Sequence, residues 1–156
     1  RQVPDMTSSS PLSRLRLGRR ISYVVDPDAI DPSQLNDLWV RGLGYEPRDP
    51  DKIRVSLQHS FGVCAAFVLE QDGVRRLVAL SRAVSDGEFV ALVCDTAVLP
   101  EYRGLGLGAK VVQGLVANMK GRGPDGYAVF AEPPSRRFYW QIGFRSDRTH
   151  CIMGWE

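Results

Sequence analysis

The sequence predicts one α/β domain of the α+β type, in which a mixed, mostly antiparallel sheet is flanked by helices. Two observations carry this prediction. Apolar, strand-like runs follow one another through short turns of the Asp-Gly type, which are typical of β-hairpins. The apolar run at residues 89–98 then leads through a glycine-rich turn into an amphipathic run at 110–119. A strand, turn and helix in this order predict a parallel step within the sheet.

A short strand and two helices are predicted before the main sheet. The strand, at residues 21–25, is stopped by an Asp-Pro pair. A second Asp-Pro pair, at 31–32, opens the first helix, and glycines at 42 and 44 end it. The second helix is predicted at residues 50–60. The apolar positions are Leu35, Leu38 and Trp39 in the first helix and Ile53, Val55 and Leu57 in the second.

Three strands follow, at residues 64–70, 77–83 and 89–98, joined by turns at 71–73 and 85–87. The third is nearly all apolar, which predicts a strand covered on both faces. After the helix at 110–119, residues 127–131 are predicted to form another buried strand. A short helix at 135–141 and a last strand at 151–155 complete the domain.

A tail precedes the domain, which we place at residues 21–156. Residues 1–20 contain five arginines but only one acid, Asp5, together with serines at 8–10. This composition resembles the remnant of an organelle transit peptide, and a merely disordered tail is the alternative. Removing those six charges from the 20 basic and 18 acidic residues leaves 15 and 17, so the domain itself is not basic. General nucleic-acid binding therefore loses its electrostatic basis.

Other classes of protein are also disfavoured. No apolar run approaches the ~20 residues that a membrane-spanning helix needs, so no membrane partner is expected. The three cysteines, at 64, 94 and 151, lie in apolar surroundings and predict reduced core residues. Neither they nor the two isolated histidines have the spacing of metal ligands, and we therefore expect no metal site.

The glycine-rich turn is the main candidate for ligand binding. It contains Arg103 and then glycines at 104, 106 and 108. Alternate glycines let backbone N–H groups approach a ligand, and the following helix N-terminus favours an anion. Arg103 adds charge and paired donors suited to a phosphate or pyrophosphate. A glycine-rich turn without a ligand is the alternative, and Ala109 and Val111 rule out the dinucleotide and P-loop patterns respectively.

Two ordered motifs resemble one known family. Arg103-x-x-Gly106-x-Gly108 resembles the Q/R-x-x-G-x-G/A acetyl-CoA signature of the GNAT acetyltransferases. Residues 131–144, with Ala-Glu-Pro at the start and Phe-Tyr and Gly-Phe later, resemble that family's A-E-P…F-Y-x-x-x-G-F segment. Residues 81–87 and 95–100 resemble the plastid branch, which includes serotonin N-acetyltransferases. The resemblance covers residues 33 to 154, and Cys94 departs from it where tryptophan is expected.

The resemblance implies a GNAT fold and an N-acetyltransferase that takes acetyl-CoA as co-substrate and transfers acetyl directly to a primary amine. The implied acceptor is an arylalkylamine such as serotonin or tryptamine, in the plastid stroma. Protein lysines or N-termini as acceptors, a catalytically weak acyl-CoA-binding module, and a cytoplasmic location remain alternatives. The sequence does not distinguish a homodimer from a monomer.

Two residues are the candidates for catalysis. Asp95 is a lone acid near the end of an apolar strand, and we predict it to be the base that deprotonates the amine. An alkylammonium has a pKa near 10.4 and must lose a proton before attack. Tyr139 matches the family tyrosine that protonates the coenzyme A thiolate, a role that suits a phenol. The alternatives are that Asp95 only accepts hydrogen bonds from the backbone at the strand end and that Tyr139 only packs in the core.

The remaining site residues divide between donor and acceptor. The backbone near Ala97 and Val98 is implied to hold the thioester oxygen and the pantetheine amides. The predicted donor-binding residues are Ala97, Val98, Arg103, Gly104, Leu105, Gly106, Leu107, Gly108 and Ala109. The predicted acceptor-side residues are Asp86, Glu88, Phe61 and Glu132, with Trp39, Tyr45 and His59 as further candidates for its wall.

Overall fold

The computed structural model describes residues 20–146, which form a five-stranded sheet in the order β1-β2-β3-β4-β5. The strands pair antiparallel from β1 to β4, and β4 pairs parallel with β5. This is the predicted mixed sheet with one parallel step. The strands are β1 (Ile21–Val24), β2 (Gly62–Leu69), β3 (Arg75–Ser85), β4 (Val90–Val98) and β5 (Gly126–Val129).

Four α-helices accompany the sheet in the described residues: α1 (Pro32–Leu43), α2 (Pro50–Gln58), α3 (Leu107–Met119) and α4 (Arg136–Gln141). The carboxylates of Asp31 and Asp49 accept backbone N–H groups in the first turns of α1 and α2, which fixes where both helices begin. Gly44, at a φ of 73°, ends α1 in the left-handed conformation that glycine adopts readily. None of the helices in residues 20–146 is long and apolar enough to cross a membrane.

The core lies on both faces of the sheet. Seven consecutive residues of β2 are buried, and because side chains alternate between faces, both faces of that strand must be covered. Helix α3 contacts β2, β3 and β4, whereas α1 contacts β3 and β4 and packs on α2. The missing side chain of Gly114 lets α3 approach Cys64 on β2, since an added Cβ would lie 2.8 Å from its Sγ.

Several local predictions need correction. Val55 is 52% exposed because it faces away from the two buried positions of α2, Ile53 and Leu57. The strand predicted at 127–131 ends at Val129 and is half-buried, since it is the last strand of the described sheet. Helix α3 begins three residues earlier than the amphipathic run, at Leu107. The tail at 1–19 and the strand predicted at 151–155 lie outside the described residues.

Strand β4 changes its surroundings midway. It pairs with β5 only over Val90–Val93, and no other described strand lies on that side of residues 94–98. On its other side, the register with β3 shifts between Leu80 and Arg82. Asp95 lies in this irregularity with a φ of 51°, the one positive value among the described non-glycine residues. A bulge of this kind redirects a side chain within a strand.

Candidate active site

Tyr139 reaches β4 from α4 at the point where β5 has ended. It lies near Thr96, whose hydroxyl lies 2.8 Å from that of Ser81. The rings of Phe138 and Phe144 meet Tyr139 edge-on, at centroid distances of 4.9 and 5.6 Å. Burial raises the pKa of Tyr139 above its ordinary value, and the nearby Thr96 hydroxyl opposes that rise. The phenol therefore keeps its proton at neutral pH and can donate it.

Asp95 lies near this tyrosine, and its carboxylate is held by two side-chain donors. Its Oδ2 accepts a 2.6 Å hydrogen bond from Nε of Arg82 on β3. The two side chains are 10% and 15% exposed, respectively, so this ion pair is largely shielded from water. The other oxygen, Oδ1, accepts a hydrogen bond from the Tyr45 hydroxyl at 3.2 Å. Both carboxylate oxygens thus have a donor from a different part of the chain.

Tyr45 follows the end of α1 and brings an aromatic ring to the carboxylate. Burial raises the pKa of Tyr45, and the charge of Asp95 raises it further. The guanidinium of Arg48 lies over the Tyr45 ring, 4.5 Å from its centroid, and over Trp39 at 5.1 Å. Trp39 is only 1% exposed, so it belongs to the core and not to the substrate wall.

The glycine turn follows directly after β4. Gly104 and Gly106 both have a φ of 76°, and the space that a Cβ would occupy is open at each. Gly106 also caps the 13-residue helix α3. Two left-handed glycines beside open space, followed by a helix N-terminus, fit a ligand that carries phosphate groups. Gly108 has another function: an added Cβ there would lie 3.4 Å from both Phe138 and Val98.

Residues 33–144 match the Acetyltransferase (GNAT) family. The chain belongs to the GNAT family. It is 37% identical over 118 residues to serotonin N-acetyltransferase 2, chloroplastic, of Oryza sativa, covering 76% of this chain and 58% of that protein. It is 35% identical over 120 residues to GCN5-related N-acetyltransferase 1, chloroplastic, of Arabidopsis thaliana, covering 77% and 59%. The chain thus spans less than two thirds of these relatives.

Solved structures with low identity share the fold. A probable acetyltransferase of unknown function from meticillin-resistant Staphylococcus aureus aligns with a TM-score of 0.71 at 18% identity, covering 88% of this chain and 99% of that one. The aminoglycoside N-acetyltransferase AAC(6')-Iy, solved in complex with CoA, aligns with a TM-score of 0.67 at 13% identity, covering 89% and 95%. The GNAT fold predicted from the sequence is therefore confirmed.

Arg103 does not point to open space in this GNAT domain. Its guanidinium donates a 2.9 Å hydrogen bond to the carbonyl oxygen of Gly42, in the last turn of α1. Glu101, two residues earlier, forms ion pairs with Arg41 on α1 and Arg76 on β3, at 2.9 and 3.2 Å. The glycine turn is thereby tied to α1, and a phosphate bound by Arg103 would replace its contact with Gly42.

Three predicted acceptor residues lie at the opposite end of β4. Asp86 and Glu88 belong to the β3–β4 hairpin, and the amide of Phe61 donates to the carbonyl oxygen of Ala83 near it. Five residues at about 3.3 Å each place the start of β4 roughly 17 Å from Asp95. A residue that holds the substrate ammonium must lie beside the reacting atoms. The structure therefore does not bring these three side chains to Tyr139.

The hairpin residues make local contacts, and their acceptor role stays a prediction. Oδ1 of Asp86 accepts the backbone N–H groups of Glu88 and Phe89, at 2.9 and 3.1 Å. These backbone hydrogen bonds lower the pKa of Asp86 and hold its carboxylate in the turn. Phe61 lies under the guanidinium of Arg122, 4.8 Å from its ring centroid. Glu132, by contrast, is exposed just before the turn that leads into α4, and its relay role stays a prediction.

Sequence reasoning missed Arg82 and Thr96 as site residues, and it proposed Tyr45 for the acceptor wall without its contact to Asp95. Arg82 offered one signal, because it is the only charged residue within the apolar segment 77–83. A charge inside a buried strand requires a partner of opposite sign. Thr96 gave no comparable signal, and nothing in the sequence indicated that Tyr45 contacts Asp95, since only the fold brings these residues together.

A cleft of about 1080 Å³ lies between α3, β5 and α4 and has Tyr139 in its wall. Its lining includes neither Asp95 nor the glycine turn, and it extends to Ser146, the last described residue. We therefore assign it no ligand. Within residues 20–146, no three His, Cys, Asp or Glu side chains gather where they could hold a metal ion.

Proposed function

We propose that this protein is an acetyl-CoA-dependent N-acetyltransferase that transfers acetyl to a primary amine by direct attack in a ternary complex. The observation that carries the proposal is the meeting of Tyr139, Thr96 and Asp95 immediately before the glycine turn. Membership of the GNAT family supports the reaction class. The fold shared with an aminoglycoside acetyltransferase solved with CoA supports the co-substrate.

The donor is held, in this proposal, by the turn and by the free side of β4. The backbone N–H groups of residues 104–109 bind the pyrophosphate, and the open positions of Gly104 and Gly106 allow its close approach. Arg103 exchanges its bond to Gly42 for a phosphate oxygen. The backbone of Ala97 and Val98, which has no described strand beside it after Val93, supplies donors to the pantetheine and the thioester oxygen.

Acetyl-CoA supplies a thioester carbonyl and a thiolate leaving group. Tyr139 holds its proton because burial raises its pKa, and it donates that proton to the departing sulfur. Asp95 accepts the proton that the acceptor ammonium must lose before attack. A carboxylate has about four lone-pair positions, and the donors Arg82 and Tyr45 occupy two of them. Asp95 thus retains the capacity to accept a further proton.

The proposed acceptor is an arylalkylamine such as serotonin or tryptamine. The name of the rice relative supports this class, as does the half-buried ring of Tyr45 beside Asp95, which can contact an aromatic acceptor. The proposed location is the plastid, in keeping with the chloroplastic names of both relatives.

An amine panel tests this function. The protein is incubated with acetyl-CoA and serotonin, tryptamine, simple alkylamines or peptides with free lysines, and thiol release and acetylated product are both measured. We expect acetylated arylalkylamines from the wild type and strongly reduced product from Tyr139→Phe. Faster acetylation of peptides would contradict the acceptor class. Acetyl-CoA binding without transfer to any amine would contradict an enzyme and indicate an acyl-CoA-binding module.

A further inference from the structure

The carboxylate of Asp95 is held by two side chains from separate elements. Arg82 on β3 contacts Oδ2, and Tyr45 beyond α1 contacts Oδ1. Thirteen and fifty residues separate them from Asp95 along the chain, so only the assembled fold creates this arrangement. We propose that Arg82 and Tyr45 are positioning residues that fix the Asp95 carboxylate towards the acceptor amine. This inference rests on the proposed function, in which Asp95 takes up the ammonium proton.

The backbone of Asp95 indicates that its direction matters. Its φ of 51° is unfavourable for a residue with a Cβ, and it occurs where the β3–β4 register shifts. Such conformations persist where surrounding contacts over-determine them, and they concentrate at functional sites. The bonds to Arg82 and Tyr45 are the described contacts that hold this side chain. They restrict the remaining lone pairs of the carboxylate to the directions that the two donors leave open.

Arg82 lies where a purely structural residue would be apolar. Its neighbours along β3 are buried, and Ser81 and Ala83 are each 0% exposed. A guanidinium in this place must be paired, and its only described acidic partner is Asp95. Its Nη1 also approaches the Ser60 hydroxyl at 3.4 Å, which gives the planar group a second point of attachment. Arg82 can therefore fix both the charge and the orientation of Asp95.

Tyr45 contacts the other carboxylate oxygen of Asp95, Oδ1. Because its pKa is raised by burial, it stays protonated and donates to Asp95 through the neutral pH range. Arg48 covers the Tyr45 ring and limits its rotation. The other titratable groups near Asp95 are Cys94, whose pKa burial raises, and Tyr139, both uncharged at neutral pH. Arg82 is thus the charged group in direct contact with the carboxylate.

A double-mutant cycle tests the proposal. Tyr45→Phe removes the hydroxyl that contacts Asp95, Arg82→Gln removes the positive charge, and Arg82→Lys keeps a positive charge at that position. Each substitution is made in the wild type and in the Asp95→Asn variant. With Asp95 present, we expect kcat for the amine to fall roughly 10- to 100-fold in Tyr45→Phe and Arg82→Gln, while acetyl-CoA affinity is unchanged. Arg82→Lys should recover part of the loss. With Asp95→Asn, neither substitution should reduce kcat further.

The pH profile separates positioning from a structural effect. Arg82→Gln removes the cation that contacts Oδ2 of Asp95, so its pH profile of kcat should differ from that of the wild type. Tyr23→Phe and Arg54→Lys are matched controls, because Tyr23 lies on β1 and Arg54 pairs with Asp51 on the exposed side of α2. Both controls should retain wild-type kcat and the wild-type profile.

Two results would overturn the positioning role. One is an equal loss of kcat from Tyr45→Phe or Arg82→Gln in both backgrounds, which would show action independent of Asp95. The other is an unchanged 13C NMR titration of the Asp95 carboxylate in folded Tyr45→Phe and Arg82→Gln proteins. That titration needs no turnover. A wild type that acetylates no amine would contradict the proposed function alone, and the titration would still decide the contacts of Asp95.

Discussion

Arg103 in the glycine turn donates its 2.9 Å hydrogen bond to the carbonyl oxygen of Gly42 at the end of α1. This contact joins the proposed donor site to the segment that carries Tyr45 to Asp95. Gly42 also lets α1 lie close to the end of β4, because an added Cβ would lie 3.1 Å from the carbonyl oxygen of Val98. The proposed donor and acceptor sides therefore meet near the end of β4.

The first prediction concerns Arg103. Arg103→Ala should weaken acetyl-CoA binding by roughly 1.5–3 kcal/mol, the value of a charge-assisted hydrogen bond, because the turn amides remain. Isothermal titration calorimetry with coenzyme A measures the change. Arg54→Ala, on the exposed side of α2, is the matched control and should bind as the wild type does. Equal affinity of both variants would exclude Arg103 from the donor site.

A second prediction concerns Gly106. Gly106→Val should reduce coenzyme A affinity more than Arg103→Ala does, because it fills the open space at a φ of 76° and strains the cap of α3. Thermal unfolding and calorimetry are measured on the same preparation. Gly73→Val serves as control, since that glycine also has a positive φ, 82°, but lies in the β2–β3 turn. Both variants should be less stable than the wild type, but only Gly106→Val should also bind coenzyme A more weakly.

Tyr139 should act as an acid and not merely as a packed aromatic. Tyr139→Phe keeps the ring contacts with Phe138 and Phe144, so acetyl-CoA binding should survive while kcat falls roughly 10²–10⁴-fold. Burial raises the pKa of Tyr139 above 10.0, and an acid must be protonated to donate. Wild-type kcat should therefore decline only above pH 10, a limb that Tyr139→Phe lacks. Normal turnover by the variant would place the acid elsewhere.

Asp95 should be needed most where the amine is protonated. Asp95→Asn keeps the shape of the side chain but cannot take up the ammonium proton. Its deficit in kcat/KM should shrink as pH approaches the alkylamine pKa near 10.4, because free amine then becomes abundant. Rates from neutral to alkaline pH measure this. A deficit of the same size at every pH would mean that Asp95 positions the substrate or the bulge and accepts no proton.

The contact between α3 and β2 allows a prediction about stability alone. Gly114→Ala would place a Cβ 2.8 Å from Sγ of the buried Cys64 and should destabilise the fold by roughly 1–3 kcal/mol through overpacking. Cys64→Ala removes that sulfur, so the double variant should recover part of the loss. Chemical denaturation of the three variants measures the effect. A Gly114→Ala protein as stable as the wild type would show that α3 can shift at no cost.

The sequence by itself determined most of the fold and the position of the proposed donor site in it. The hairpins at 71–73 and 85–87, the caps Asp31 and Asp49, and the turn from β4 into α3 are all local patterns. Local patterns can be read because the residues that make each structure are adjacent in the chain. The glycine turn and the segment containing Tyr139 belong to this group, since each carries its own spacing.

The tertiary structure alone decided which side chains surround Asp95. Asp86 and Glu88 precede Asp95 by only nine and seven residues, yet they lie in the hairpin beyond the start of β4, which is itself roughly 17 Å from Asp95. Arg82 and Tyr45 are 13 and 50 residues from Asp95 in the sequence. The register of β3 with β4 and the end of α1 nevertheless bring both into hydrogen-bond contact with Asp95. Antiparallel pairing and helix packing create these neighbours, and neither leaves a pattern of spacing that one sequence can reveal.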